Sequence, residues 1–215
     1  TQAKTLFPYT TLFRSSPYAY IAFHQLPKVL GGLAWQMQYR PVVLDVFFKE
    51  HHAASPSAIA AKQAWRLRHA QWLAKQSGLP FVAPARDPFN DAAWSQMALA
   101  SSPHGQPNRQ ACEAFFSAIW QYGWDPENPA VQQRAWQDAT KLLPSVREVN
   151  SPQIEQELTD LGQAALAHGV FKVPSLVLIP ETSEHGSLQV FCGMEGLSML
   201  REAVLTRQFF DGAEQ

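Results

Sequence analysis

The segment Ser16-Pro17-Tyr18-Ala19-Tyr20 constrains the fold more than any other stretch of the chain. Ser16 is a residue type favoured at helix N-caps, and Pro17 suits the first helical position because its missing N–H would have no partner there. The segment therefore predicts a helix from Tyr18 to Leu30. A hydroxyl at a helix N-terminus lies where the helix dipole favours an anion, although an ordinary capped helix would look the same.

The composition argues against several classes of function. The chain has 215 residues, with 17 lysines and arginines against 18 aspartates and glutamates, for a formal net charge of −1. Proteins that bind nucleic acid or anionic membranes usually carry a basic excess, so neither partner is expected. No apolar run reaches the roughly 18–20 residues that span a bilayer, and the first residues do not form a convincing secretion signal. These features predict a soluble, cytoplasmic protein.

The cysteines and histidines exclude two further kinds of site. Cys112 and Cys192 are far apart and form no C-x-x-C pair, which argues against a dithiol oxidoreductase and predicts two buried, small apolar side chains. The seven histidines include the adjacent pair His51-His52 but no spacing typical of metal ligands, so no metal is expected. Ser16 is also a poor candidate for a serine-hydrolase nucleophile, because no G-x-S-x-G motif or general base accompanies it.

The first half of the chain reads as a strand followed by a long helical stretch. Apolar and polar residues alternate from Trp35 to Arg40, which predicts a strand that Pro41 closes. From about Leu44 to Leu143 the pattern is helical, without strand signals. Four helices are predicted there, beginning at Ser55-Pro56, Asp91, Asn108 and Asn128-Pro129.

The last third of the chain predicts a helix, a hairpin and a final helix. Ser151-Pro152 begins the first helix. Ser175–Ile179 and Leu188–Cys192 read as two strands joined by the polar loop Pro180–Ser187. The final helix is predicted from about Glu195 to Phe209.

The order of several motifs along the chain resembles that of the 2-hydroxychromene-2-carboxylate isomerase family and its relatives, the kappa-class glutathione transferases. Members of the family have a strand that leads into Ser-Pro-Tyr-Ala-Tyr and a helix, as at residues 16–23 here. The further matches are Tyr39-Arg40-Pro41-Val42, Lys62, Pro88-Phe89-Asn90, Val173-Pro174-Ser175 and the turn Gly193-Met194-Glu195. Together they cover residues 16–205.

The resemblance implies an α/β fold with a thioredoxin-like core and an inserted all-helical layer, the DsbA-like or kappa-like architecture. Residues 1–43 and 150–215 would form the thioredoxin-like domain, and residues 44–149 the helical insertion. Members of the family are commonly dimers, so a homodimer is one expectation for the assembly.

The resemblance also implies a glutathione site. Ser16 would donate a hydrogen bond to the glutathione sulfur and so favour the thiolate over the thiol. Pro174, if its peptide bond is cis, would turn the backbone of Val173 towards the cysteinyl backbone of glutathione. A trans proline that merely begins a strand is the alternative.

Five further residues would complete this site by resemblance, and among them Met194 would contact glutathione together with Glu195. Glu195, in the turn with Met194, would bind the γ-glutamyl ammonium group, where the family has an aspartate; a carboxylate that stabilises a helix N-terminus is the alternative. Lys62 would lie near the glycyl end of glutathione, although an exposed helical lysine is equally expected. Tyr18 and Asn90 would face the substrate, with helix capping an equal alternative for Asn90.

The activity implied is the glutathione-dependent cis–trans isomerisation of 2-hydroxychromene-2-carboxylate, or of a close aromatic analogue, to trans-o-hydroxybenzylidenepyruvate. A kappa-like glutathione transferase is the first alternative. The second is a non-catalytic binding protein with a thioredoxin fold, because three features depart from the family, the first being Glu195 in place of the aspartate. Ala53 stands where the family often has an asparagine, and residues 1–15, with Pro8 where a central strand belongs, are interpreted as foreign to the family.

Overall fold

A four-stranded sheet lies at the centre of the protein. The computed structural model describes residues 9–12, 15–33, 35–54, 58–178 and 188–206. The strands are β1 (Tyr9–Leu12), β2 (Gln38–Pro41), β3 (Ser175–Leu178) and β4 (Gln189–Cys192), in the order β2-β1-β3-β4. β2 is parallel to β1, whereas β3 is antiparallel to both β1 and β4.

The strands confirm the predicted pattern, with shorter limits. β2 begins at Gln38 instead of Trp35 and includes Pro41, which was expected to close it. Pro41 is tolerated because β2 lies at the edge of the sheet, where a missing N–H need not leave a neighbour unpaired. β3 and β4 form the predicted hairpin, but Ile179 and the loop at residues 180–187 lie outside the described residues.

β1 takes the place of the first strand of the core. It lies between β2 and β3, although Pro8, just before it, made this segment look unsuited to a central strand. Pro8 itself lies outside the described residues. The foreign origin proposed for residues 1–15 stays a hypothesis.

The helices follow the predicted order. α1 (Pro17–Val29) comes between β1 and β2, and α7 (Pro152–Ala167) precedes β3. α8 (Gly196–Thr206) follows β4; the predicted continuation of this helix to Phe209 lies outside the described residues. The helical layer between β2 and α7 consists of α2 (Leu44–Glu50), α3 (Ala60–Gln76), α4 (Ala92–Ala100), α5 (Arg109–Phe116), the π-helical turn Ser117–Gln121 and α6 (Pro129–Thr140).

Side-chain caps explain why three of the predicted helix starts are accurate. Asn108 Oδ1 accepts a hydrogen bond from Ala111 N at 2.8 Å, and Asn128 Oδ1 accepts one from Ala130 N at 3.0 Å. The Ser151 hydroxyl oxygen accepts one from Ile154 N at 3.4 Å. Each cap satisfies a backbone N–H that the helix itself leaves unpaired.

The prediction of four helices in the inserted layer was wrong. α2 is an additional helix, and Val43, its N-cap residue, has no side-chain oxygen with which to cap it. The sequence therefore carries no start signal there, and the helix depends on tertiary packing. The helix predicted from Ser55-Pro56 begins at Ala60, and residues 55–57 lie outside the described residues.

α1 is packed on two sides, which fixes its N-terminus relative to the sheet. Tyr20 and Phe23 face the main core cluster, which includes Trp94 and Val177. Another face of α1 packs against the sheet and α8, in a cluster that includes Ala22, Leu26, Leu30, Leu176, Phe191 and Leu200. The main cluster joins the helical layer to the sheet, so the two predicted domains share one core; their limits stay a prediction.

Candidate active site

Three of the predicted site segments meet at one end of the sheet. Ser16 follows the carboxyl end of β1 and immediately precedes α1. Because β3 is antiparallel to β1, the Val173-Pro174 pair that precedes β3 lies at that same end. Ser175 pairs with Cys192, and Gly193 N donates to the Pro174 carbonyl oxygen at 2.8 Å, so the turn before α8 lies there too.

Ser16 is held at the start of α1, but its hydroxyl does not cap the helix. The residue is 6% exposed and has extended backbone angles, as an N-cap residue should. Its carbonyl oxygen accepts hydrogen bonds from Ala19 N at 3.1 Å and Tyr20 N at 3.3 Å. The side chain makes no capping hydrogen bond, so its hydroxyl is not used by the helix. The hydroxyl lies at the positive end of α1, where the helix dipole favours negative charge.

The Val173–Pro174 peptide bond is cis, as the resemblance implies. Pro174 is buried and Val173 is half-buried. The turn is fixed from behind by Ser175, whose hydroxyl donates to the Lys172 carbonyl oxygen at 2.6 Å. The predicted ligand-binding backbone of Val173 thus belongs to a well-anchored turn.

Glu195 lies in an exposed turn and is paired with a neighbouring cation. Lys172 Nζ lies 2.5 Å from Glu195 Oε1. The hydrogen bond from Lys172 holds the pKa of the Glu195 carboxyl below its usual value, and backbone N–H groups of Glu195 and Met194 act in the same direction. Met194 is half-buried and packs against both core clusters.

Tyr18 connects the start of α1 to α3. Its hydroxyl lies 3.1 Å from His69 Nδ1 and 3.5 Å from the Arg66 carbonyl oxygen. Burial raises the pKa of Tyr18, and the charge of Arg66 opposes this shift. His69 is stacked against Trp65 and Trp72, whose exposed fractions are 59% and 56%. An exposed aromatic surface therefore begins beside Tyr18.

The other two predicted contacts lie on exposed surfaces. Lys62 is in the first turn of α3 and is exposed, as either interpretation of it allowed. Asn90 Oδ1 accepts a hydrogen bond from Ala92 N at 3.0 Å, and Asn90 N donates to Glu127 Oε1 at 3.3 Å. The Asn90 side chain is thus engaged in the turn that begins α4, as the capping alternative describes.

The sequence did not reveal a polar network that holds the Ser15-Ser16 turn. Arg66 forms an ion pair with Asp87, and the two side chains are only 15% and 5% exposed. Arg66 Nη1 also donates to the Ser15 carbonyl oxygen at 3.2 Å. The Ser15 hydroxyl donates to Asp91 Oδ2 at 3.2 Å, whereas the helix cap predicted for Asp91 is not formed, because its side chain makes no capping hydrogen bond to α4.

The environment of Asp87 is polar but poorly solvated. Gln63 Nε2 donates to Asp87 Oδ2 at 2.7 Å. Burial raises the pKa of Asp87, and the charge and hydrogen bond of Arg66 oppose this rise. The sequence offers one weak signal for the network, the spacing of Gln63 and Arg66 on one face of a helix.

The cysteines differ in their surroundings. Cys112 is buried, as predicted, but Cys192 is only half-buried, because it ends β4 at the site end of the sheet. Among the described residues no group of histidine, cysteine, aspartate and glutamate side chains could hold a metal ion. Nor does any helix in that part of the chain have the length and apolarity to cross a membrane.

The family model for the DsbA-like thioredoxin domain matches residues 14–204. The chain belongs to this family. The predicted thioredoxin-like fold with a helical insertion is thereby confirmed, and with it the resemblance at the level of fold. A search of curated protein sequences finds no match.

Two solved structures illustrate the range of this DsbA-like fold. A 2-hydroxychromene-2-carboxylate isomerase is 20% identical, with a TM-score of 0.69 over 94% of this chain and 95% of that one. The cytosolic disulfide reductase DsbM from Pseudomonas aeruginosa, in a structure with GSH, is 13% identical, with a TM-score of 0.54 over 94% and 99% of the two chains. At these identities the likeness concerns the fold.

Proposed function

We propose that the protein binds glutathione at the Ser16 end of the sheet and acts as a glutathione-dependent cis–trans isomerase. The substrate would be 2-hydroxychromene-2-carboxylate or a close aromatic analogue, converted to trans-o-hydroxybenzylidenepyruvate. The observation that carries the proposal is the buried Ser16, whose hydroxyl makes no capping hydrogen bond to α1. It lies at the same sheet end as the cis Val173–Pro174 turn.

The residues at the Ser16 end of the sheet would suit a tripeptide that carries a thiol, such as glutathione. The Ser16 hydroxyl would donate a hydrogen bond to sulfur, and the N-terminal end of α1 would favour negative charge there. The backbone of Val173 would pair with an extended ligand backbone, as an added strand does. Bound glutathione would supply a thiolate that adds reversibly to a conjugated enone, so that the former double bond can rotate before the thiolate leaves.

The comparisons support parts of this proposal. One protein of the same fold has a structure with GSH, and another is a 2-hydroxychromene-2-carboxylate isomerase. In this chain a serine stands at the start of the first core helix, and no C-x-x-C pair is present. The aromatic surface formed by Tyr18, His69 and Trp65 favours an aromatic substrate.

Calorimetric titration with glutathione is the first test. Binding in the millimolar range or tighter is expected, because the site combines backbone pairing with a hydrogen bond to a charged sulfur. A folded protein without binding at millimolar glutathione would overturn the proposal and leave the non-catalytic binding protein as the better account.

Product mass separates the isomerase from the kappa-like transferase. Isomerisation leaves the mass of the substrate unchanged, whereas a transferase produces a stable glutathione adduct. A main product with the mass of the adduct would favour the transferase. We also propose a cytoplasmic homodimer, which sedimentation of the purified protein and fractionation of cells would test.

A further inference from the structure

A lysine of the protein already forms an ion pair with the carboxylate that is expected to bind the ammonium group of glutathione. Lys172 directly precedes the Val173–Pro174 turn, and Glu195 precedes α8. The two residues are 23 positions apart in sequence, yet Lys172 Nζ lies 2.5 Å from Glu195 Oε1. The lysine therefore joins the two turns that would border the γ-glutamyl part of the ligand.

The Glu195 carboxylate also lies against the backbone of its own turn. Gly193 has a φ of +74°, and a Cβ at this position would lie 2.4 Å from Glu195 Oε2. The carboxylate thus lies over the glycine, close to the backbone N–H groups of its own turn, which contribute hydrogen bonds to it. In this arrangement its oxygens are directed to partners within the protein.

We propose that Lys172 competes with the ligand ammonium group for Glu195, and that this competition reduces the selectivity of the site for glutathione over ligands without that group. The inference rests on the proposed glutathione site. A γ-glutamyl ammonium group that binds Glu195 Oε1 takes the place of the Lys172 ammonium group, which has the same charge. The exchange replaces one ion pair with another, so the ligand gains little from its own ammonium group.

The exposure of the two side chains sets the size of the effect. Lys172 is 42% exposed and Glu195 is 64% exposed, so water and salt weaken their attraction. The displaced lysine is readily solvated, and displacement is therefore feasible. The usual strength of such an exposed pair corresponds to a change in affinity of about two- to fivefold.

A cycle of two ligands and four proteins tests this competition. The ligands are glutathione and glutaryl-cysteinylglycine, which is glutathione without its amino group. The proteins are the wild type, Lys172→Met, Glu195→Gln and the control Lys75→Met, which removes an equal charge from an exposed position of α3. Calorimetry at one fixed salt concentration gives the eight affinities, and thermal unfolding confirms that each variant is folded.

The expected results differ between the two ligands. In the wild type the two ligands bind with affinities within about twofold of each other, because the amino group gains little. Lys172→Met binds glutathione about two- to fivefold more tightly, with the affinity for glutaryl-cysteinylglycine unchanged. Glu195→Gln, which has no carboxylate to pair with an ammonium group, also binds the two ligands with similar affinities, and Lys75→Met behaves as the wild type.

Two results would overturn the competition. The first is equal affinity of Lys172→Met and the wild type for glutathione. The second is weaker binding of both ligands to Lys172→Met, which would assign the lysine to a ligand carboxylate. If no folded variant binds either ligand, the proposed glutathione site itself fails, and the role of Lys172 fails with it.

Discussion

Two ion pairs flank the candidate site, and they differ in how firmly they are held. On the helical side, Arg66 and Asp87 are 15% and 5% exposed, and Arg66 also binds the Ser15 carbonyl oxygen. On the hairpin side, Lys172 and Glu195 are 42% and 64% exposed. Water can replace either partner of the exposed pair but not of the buried one. The comparison indicates that the helical side holds the Ser15-Ser16 turn more firmly, whereas the proposed exchange with a ligand would take place on the hairpin side.

The largest expected effect is the loss of the buried pair. Arg66→Ala leaves Asp87 buried without its cation, which should destabilise the protein by about 3–5 kcal/mol. Urea unfolding measures this change. Arg68→Ala, at an exposed position of the same helix, is the matched control and should change the free energy of unfolding by less than about 0.5 kcal/mol. Equal changes in the free energy of unfolding for Arg66→Ala and Arg68→Ala would contradict the contrast between the two ion pairs.

A smaller effect is expected from the second contact to the same turn. Asp91→Ala removes the acceptor for the Ser15 hydroxyl, and should cost about 1–3 kcal/mol because Asp91 as a residue is only 7% exposed. Denaturant unfolding again gives the value. If the free energy of glutathione binding weakens by more than the free energy of unfolding falls, the Ser15-Ser16 turn has a direct role in positioning Ser16. An unchanged stability would remove Asp91 from the network.

The exposed pair should contribute least. Lys172→Met should change the free energy of unfolding by no more than about 1 kcal/mol, because exposed ion pairs seldom exceed this value. Parallel unfolding of Lys172→Met and Arg66→Ala in one buffer tests the contrast directly. A cost for Lys172→Met that equals the cost for Arg66→Ala would contradict the division of the site into a fixed and an exchangeable side.

Lowering the pH should remove the stabilisation that the Lys172–Glu195 ion pair contributes. The pKa of Glu195 lies below its usual value of 4.5, so the ion pair stabilises the folded state above that pH. The contribution disappears as the pH falls through the lowered pKa. Between pH ~6 and ~3, the wild type should therefore lose slightly more stability than Glu195→Gln. Identical pH profiles for the two proteins would contradict this role of the carboxylate.

The sequence predicted most helices and strands because their signals are local, whereas the fold class came from the family resemblance. Asn108, Asn128 and Ser151 begin their helices with the predicted side-chain caps, and strand alternation located β2. α2 was missed because its start lacks a cap. Local patterns of this kind depend on neighbours within a few positions.

The ion pairs of the site could not be predicted in the same way. Arg66 and Asp87 are 21 positions apart, and Lys172 and Glu195 are 23 apart, in different elements. No sequence period connects such residues. The resemblance placed Glu195 in the site, but only the structure reveals that Lys172 already binds it.

The central claim is that the Ser16 hydroxyl stabilises a thiolate at the start of α1, and it can be measured directly. A pH titration of the ultraviolet absorbance of the thiolate, with glutathione bound to the protein, gives the pKa of the bound thiol. In the wild type this pKa should lie below the value of about 8.5 for a free thiol. In Ser16→Ala it should rise by about one to two units, since one hydrogen bond to a charged group is lost.

Binding and turnover complete this measurement. Ser16→Ala should still bind glutathione through Val173, while turnover near neutral pH falls by about ten- to a hundredfold. Ser16→Cys, when given oxidised glutathione, should instead form a mixed disulfide, because its thiolate can attack the disulfide and release one reduced glutathione. The account is contradicted if the wild type and Ser16→Ala bind glutathione with the same thiol pKa.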